Sequence, residues 1–192
     1  MSTTLPIKNA EQLRLFKNYY QSEKPNPRNY ILLIMGLNSA LRISDMLHLT
    51  YGDIYDYQKK EWKTHLIVQE QKTGKENRIY INREIKDTLE SYLNPCQKDS
   101  VLWIFCSQKK PSHPLSRYKA YRIVKEAAAF AGLEEHISCH SLRKTFGYHA
   151  WKQGTRPALF MSIFNHSTYH ITKRYFGIDQ DDKDEVFAKI RM

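Results

Sequence analysis

Apolar and polar positions alternate with a helical period at both ends of the chain. The first amphipathic segment begins at Asn9, a residue type favoured at helix N-termini, and continues to Ser22. A Pro-Asn-Pro turn then precedes a strongly apolar helix that we predict over 28–39. A shorter helix is predicted over 43–49, with 50–53 as a loop.

The middle of the chain has a different pattern. Residues 62–70 and 78–82 are rich in β-branched and aromatic side chains, and Lys72-Thr-Gly-Lys75 between them is typical of a hairpin turn. Beyond this hairpin the helical period returns. The helices predicted there cover residues 84–93, 116–131, 141–152, 156–163 and 168–175. The pattern therefore predicts a mainly α fold with a small antiparallel β-sheet, in the α+β class. At 192 residues, without repeats or long linkers, we expect one domain over 1–192.

The charge of the chain narrows the choice of partner. Lysine and arginine number 30 against 20 acidic residues, which gives a net charge of +10. Such a surplus favours a polyanion, with nucleic acid as the first candidate and an anionic membrane surface as the second. Residues 100–125 contain no acidic residue, so Arg117, Lys119 and Arg122 are candidates for contacts to a phosphate backbone, as is Lys75. The alternative for this helix is an ordinary solvated face.

Cysteine content and hydropathy indicate the compartment. Three widely separated cysteines, an odd number without a CxxC pair, do not form a disulfide framework. The N-terminus lacks the apolar core of a signal peptide, and the longest apolar run, 30–37, is too short to span a bilayer. We therefore expect a cytoplasmic protein with reduced thiols and no membrane partner.

Several basic residues lie beside predicted turns or helix starts, where side chains can converge on one ligand. His140 and Arg143 are three residues apart and would share one helix face, an arrangement suited to a phosphate, although such pairs often occur by chance. Arg42 follows a buried helix and is expected to pair with Asp45; the alternative is a purely structural ion pair. Lys72 lies in the hairpin turn, where an ordinary exposed lysine is the alternative.

The order and spacing of these residues resemble the catalytic set of the tyrosine recombinase (phage integrase) family. The resemblance runs from about residue 10 to residue 180. Its matching positions are Arg42 with Asp45, Lys72, His140-Ser-Leu-Arg143, His166 and Tyr175. The chain departs from the family in having Phe164-Asn-His166 where Leu-Gly-His is common. We also expect that the N-terminal DNA-clamping domain of most integrases is absent from this chain.

The resemblance implies a reaction. Tyr175 would attack DNA to form a 3′-phosphotyrosine, while the two arginines grip the phosphate and His140 and His166 donate further hydrogen bonds. Lys72 would protonate the leaving 5′ oxygen, with Lys75 as the competing candidate. Since two arginines and a histidine supply the charge stabilisation that a metal would give, we expect no metal and no cofactor. The chain has 13 tyrosines, so only its place after His166 and beside Arg174 distinguishes Tyr175.

The resemblance also implies double-stranded DNA as the partner and a bacterial or phage-encoded recombinase or integrase. Such enzymes act as homo-oligomers on DNA, as tetramers in a recombination complex, and this chain is expected to be a monomer in isolation. A C-terminal tail, about 177–192, would pass between protomers or pack on its own domain. Two alternatives remain: a non-catalytic DNA-binding accessory protein of the same fold, and a single-strand DNA topoisomerase.

Overall fold

Two helices form the N-terminal part of the chain, and the first begins at the capping residue that the sequence indicated. The structure is a computed structural model and describes residues 4–107, 109–133 and 136–165, together with 184, 187 and 188. Helix α1, Ala10–Asn18, begins after Asn9, whose side chain accepts a hydrogen bond from the Gln12 amide, and continues into a π-helical turn, Tyr19–Glu23. Helix α2, Pro27–Asn38, begins with a proline in its first turn.

Helix α2 is the centre of the core. Every residue from 29 to 37 is buried. Helices α5, Arg83–Tyr92, and α7, Cys139–Lys152, pack against it. Gly36 permits the close approach of α2 and α7, because a Cβ atom there would lie only 2.5 Å from Leu142 Cδ1. Helices α2 and α7 are therefore closely packed at this point.

The predicted hairpin is confirmed. Strand β3, His65–Gln69, pairs antiparallel with β4, Glu76–Tyr80, and Gln69 lies opposite Glu76 beside the turn. Leu66 is buried and Ile67 is exposed, so one face of the hairpin packs on the core. A second sheet, β1, Tyr55–Asp56, with β2, Glu61–Trp62, was not predicted, because strands of two residues carry no periodic signal.

The loop predicted over 50–53 is wrong. Residues Tyr51–Ile54 form a short helix, α4, stabilised at its start by the Thr50 backbone N–H and hydroxyl, which both donate to the Asp53 carboxylate. Helix α3, Ile43–Met46, is shorter than the predicted 43–49.

The remaining helices agree with the prediction to within about two residues. They are α5, α6 at Arg117–Phe130, α7, and α8 at Pro157–Ile163. A 3₁₀ turn at Pro95–Gln97 was not predicted. The fold class is confirmed as mainly helical with small antiparallel sheets. The helix predicted over 168–175 lies outside the described residues. Within the described part of the chain, no helix has the length and apolar character needed to cross a membrane.

A small second cluster of apolar side chains anchors α8. Phe160 and Phe164 are buried together with Ala40, which lies in the turn after α2. Phe146 of α7 packs against the same cluster. This cluster holds the C-terminal end of α8 close to the segment that leads into α3.

Candidate active site

A cleft of about 520 Å³ opens where four parts of the chain meet. These are the turn after α2, the β3–β4 turn, and the N-terminal ends of α6 and α7. Five of the basic residues singled out in the sequence line this cleft: Arg42, Lys72, Arg117, His140 and Arg143. The fold thus gathers into one cavity residues that are up to about a hundred positions apart in sequence.

Arg42 precedes the first turn of α3. Its backbone is extended, with φ −71° and ψ 145°, and its side chain is 19% exposed. Nη1 of Arg42 donates to Oε2 of Glu70 at 2.5 Å. The expected pairing with Asp45 is wrong, because an extended Arg42 does not share a helix face with a residue three positions later. Asp45 Oδ1 instead accepts a hydrogen bond from the Gln71 backbone amide at 3.1 Å.

Glu70 is the acidic residue that sequence reasoning missed. Its side chain is fully buried, and besides Arg42 it accepts hydrogen bonds from Thr73 Oγ1 at 2.8 Å and Asn77 Nδ2 at 3.3 Å. Burial alone would raise the pKa of Glu70, but hydrogen bonds from Thr73, Arg42 and Asn165, together with the charge of Arg42, outweigh it and hold the pKa below its ordinary value. The one sequence signal was an acidic residue directly after a half-apolar strand.

Lys72 is exposed in the β3–β4 turn. The turn is closed by hydrogen bonds from the Gly74 amide to the Glu70 carbonyl at 2.8 Å and from the Glu70 amide to the Lys75 carbonyl at 2.9 Å. Gly74 has a φ of +65°, a conformation that glycine adopts without steric cost. Lys72 lines the cleft, whereas the side chain of Lys75 is not among the groups that line it.

Helix α7 presents His140 and Arg143 from its first turns. Ser138 caps the helix: its side chain accepts from the His140 amide, and its own amide donates to Ser141 Oγ. His140 is exposed and Arg143 is 1% exposed, yet both line the cleft. The predicted helical spacing therefore brings an imidazole and a guanidinium to one cavity.

Arg143 is held by backbone carbonyl groups, which the sequence did not indicate. Nη1 donates to the Ala40 carbonyl oxygen, and Nη2 donates to the Phe164 carbonyl oxygen at 2.8 Å. The guanidinium carbon lies 4.7 Å from the centre of the Phe164 ring. Arg143 thus ties the turn two residues before Arg42 to the end of α8, two residues before His166.

The candidate DNA-binding residues of α6 do not all lie at the cleft. Arg117, Lys119 and Arg122 are all exposed. Arg117 is the first residue of the helix and lines the cleft. Arg122 lies near the Lys24–Glu126 ion pair instead. Of the three, Arg117 is thus the residue that adds positive charge to the cleft.

Cys139 lines the cleft, but its thiol is expected to be a poor nucleophile. Burial raises the pKa of its thiol to about 11, so the nucleophilic thiolate is scarce at neutral pH.

In the part of the chain that the structure describes, no group of three or more His, Cys, Asp or Glu side chains is arranged to hold a metal ion. His166 and Tyr175 lie outside the described residues.

The phage integrase family profile matches residues 5–181 of this chain. This chain belongs to the phage integrase family. "Probable integrase/recombinase YoeC" of Bacillus subtilis (strain 168) is 41% identical over 181 residues, which cover 94% of this chain and 93% of YoeC. A "Tyrosine recombinase" of Pseudothermotoga lettingae is 25% identical over 166 residues, and the match covers 86% of this chain and 54% of that relative. This integrase-family chain thus spans nearly all of YoeC but about half the length of the second relative.

A solved structure shows that the integrase-family fold is shared. The crystal structure of the XerH site-specific recombinase bound to its palindromic difH substrate, a post-cleavage complex, matches with a TM-score of 0.77 at 20% identity. The match covers 98% of this chain and 54% of the XerH chain. At that identity the likeness shows the fold alone.

Proposed function

We propose that this chain cleaves and rejoins DNA as a site-specific recombinase or integrase, with Tyr175 as the nucleophile of a 3′-phosphotyrosine intermediate. The observation that carries the proposal is the cleft that gathers Arg42, Lys72, His140 and Arg143. Membership of the phage integrase family supports it.

The cleft has the chemistry that a phosphodiester requires. Attack on phosphorus passes through a pentacoordinate arrangement whose extra negative charge has to be stabilised. Arg42, Arg143 and His140 line the cleft; the two guanidinium groups would hold the non-bridging oxygens, and His140 would add a third donor. His166 would donate a further hydrogen bond to the same phosphate.

Proton movements complete the cleavage step. The Tyr175 phenol, ordinarily with a pKa near 10, gives up its proton to a histidine while the positive cleft stabilises the phenolate. The Tyr175 oxygen forms a bond to phosphorus, the bond from phosphorus to the 5′ oxygen breaks, and Lys72 protonates that oxygen. A 5′ hydroxyl of another strand reverses these steps, so the strand is rejoined without an external energy source.

Duplex DNA is the proposed substrate, and a homo-oligomer on DNA is the proposed working form. The net charge of +10 and the position of Arg117 at the cleft edge support binding to a phosphate backbone. The crystal structure of XerH, which has the same fold, contains its difH substrate. We assign residues 1–192 to one catalytic domain, with the tail from about 177 as the segment exchanged between protomers.

Covalent trapping tests the proposal even while the target site is unidentified. Fragmented genomic DNA of the encoding organism, nicked at random, is incubated with wild type and with the variants Tyr175→Phe and Tyr169→Phe. We expect SDS-resistant protein–DNA complexes from wild type and Tyr169→Phe, and none from Tyr175→Phe. If wild type binds DNA but forms no such complex, a non-catalytic DNA-binding function replaces the proposal. If Tyr175→Phe still forms complexes, another residue is the nucleophile.

A further inference from the structure

We infer that Glu70 is a positioning residue of this active site, which orients Arg42 toward the scissile phosphate and couples it to the turn that carries Lys72. This inference rests on the proposed function. It goes beyond that function because Glu70 is not one of the predicted catalytic residues. The acid expected to support Arg42 was Asp45, not Glu70.

Glu70 is a buried carboxylate that can orient Arg42 only if it is itself held in place. A fully buried carboxylate is costly unless hydrogen-bond donors surround it. Arg42, Thr73 and Asn77 donate hydrogen bonds to it at 2.5, 2.8 and 3.3 Å. Because the carboxylate is fixed by Thr73 and Asn77, it provides a rigid anchor for the long side chain of Arg42, which otherwise samples many rotamers.

Two carboxylates cross-link the same pair of segments. Glu70, at the base of the hairpin turn, accepts from Arg42, and Asp45 of α3 accepts from the backbone amide of Gln71. Lys72 is the next residue along the turn. A shift of the Arg42 segment is therefore transmitted directly to the turn that carries Lys72, so the two groups keep a fixed relation across the cleft.

The same network reaches the end of α8. Asn77 Nδ2, which donates to Glu70, also donates to the Ile163 carbonyl oxygen at 3.4 Å. Arg143 donates to the carbonyl oxygen of the next residue, Phe164. Glu70 thus lies at the junction of the hairpin, the Arg42 segment and the end of α8. Loss of its charge is expected to displace Arg42 first, because Arg42 is its ionic partner.

The experiment compares Glu70→Gln with Glu76→Gln, the same change at an exposed position of the same hairpin. The substrate is a DNA site identified by the covalent trapping described above. Single-turnover cleavage rates and DNA affinities are measured on this site, once with a normal phosphate and once with a methylphosphonate at the scissile position. A methylphosphonate lacks one charged non-bridging oxygen, so correct placement of an arginine contributes much less to its cleavage.

We expect Glu70→Gln to cleave the normal phosphate about 10- to 100-fold more slowly than wild type. On the methylphosphonate the difference from wild type should shrink to about threefold or less. DNA affinity should change little, and Glu76→Gln should match wild type throughout. A purely structural defect would slow both substrates equally. That result, or a wild-type rate for Glu70→Gln, would overturn the inference.

A second variant covers a failure of Glu70→Gln to fold. Thr73→Val removes one donor to the carboxylate from an exposed turn. A smaller loss confined to the normal phosphate supports the inference, and wild-type rates on both substrates overturn it. Absence of cleavage by wild type itself would instead count against the proposed function, so the two failures are distinguishable.

Discussion

The Arg143 guanidinium donates to the carbonyl oxygen of Phe164 at 2.8 Å and lies 4.7 Å from the centre of the Phe164 ring. The buried arginine therefore fixes the end of α8 as well as facing the cleft. A second carbonyl group, that of Ala40, is held by the same side chain. This one guanidinium thus contacts the turn before Arg42 on one side and the end of α8 on the other.

Arg143→Lys is expected to lower stability as well as activity. A lysine ammonium cannot bridge the Ala40 and Phe164 carbonyl groups in the same plane, so at least one buried acceptor loses its partner. We expect the free energy of unfolding to fall by about 2–4 kcal/mol, measured by urea denaturation. Arg83→Lys, at a side chain that is 94% exposed, is the matched control and should stay within about 0.5 kcal/mol of wild type. An unchanged urea midpoint for Arg143→Lys would contradict the bridging role.

The Glu70 carboxylate is expected to give a defined pH dependence. Its pKa in the folded protein is lowered, so its contribution to stability is present above the ordinary glutamate value of 4.5 and is lost as pH falls through the folded pKa. We expect Glu70→Gln to be less stable than wild type by about 1–2 kcal/mol at pH 7. The difference should shrink below about pH 4.5. Denaturation curves at pH 7, 5.5 and 4 measure it, and a difference that grows on acidification would contradict the account.

Arg117 and Arg122 are expected to differ in their effect on DNA binding. Arg117 lines the cleft, whereas Arg122 lies beside the Lys24–Glu126 pair. If Arg117 contacts one phosphate, Arg117→Ala lowers the slope of log affinity against log salt concentration by about 0.9. Arg122→Ala should change that slope by less than half as much, by the same counterion argument. Equal slopes for the two variants, from fluorescence anisotropy titrations, would remove Arg117 from the DNA interface.

Cysteine labelling tests the burial of the cleft wall. Because burial raises the pKa of Cys139 to about 11, its thiol should stay protonated at pH 8 and react slowly with iodoacetamide. We expect Cys96, which is exposed, to be labelled at least about tenfold faster. Mass spectrometry of timed samples resolves the two sites. Comparable rates would show that the start of α7 is open to solvent.

Much of this fold could be predicted from local patterns. Asn9 marked the start of α1, and Lys72-Thr-Gly-Lys75 marked the hairpin turn that the structure confirms. The short helix α4 was missed because Thr50 and Asp53, which form its cap, are equally common in loops. Local sequence thus identifies elements that are long enough to show a period.

The arrangement of the site was less predictable. The helical spacing of His140 and Arg143 correctly brought both to one cavity. The partner of Arg42 could not be read from spacing, because Glu70 is 28 positions away and meets it only when the hairpin packs on α3. The backbone carbonyl groups that hold Arg143 likewise come from distant turns. Contacts of this kind depend on tertiary packing, for which local periodicity carries no signal.

Identification of the residue linked to DNA tests the central claim most directly. Covalent complexes from wild type are digested with nuclease and trypsin, and the remaining nucleotide is located by tandem mass spectrometry. Cleavage after Arg174 and Lys183 gives a peptide, 175–183, in which Tyr175 is the one tyrosine. We predict that the nucleotide mass lies on this tyrosine. A nucleotide on any of the other tyrosines, or on another side chain, would contradict the account.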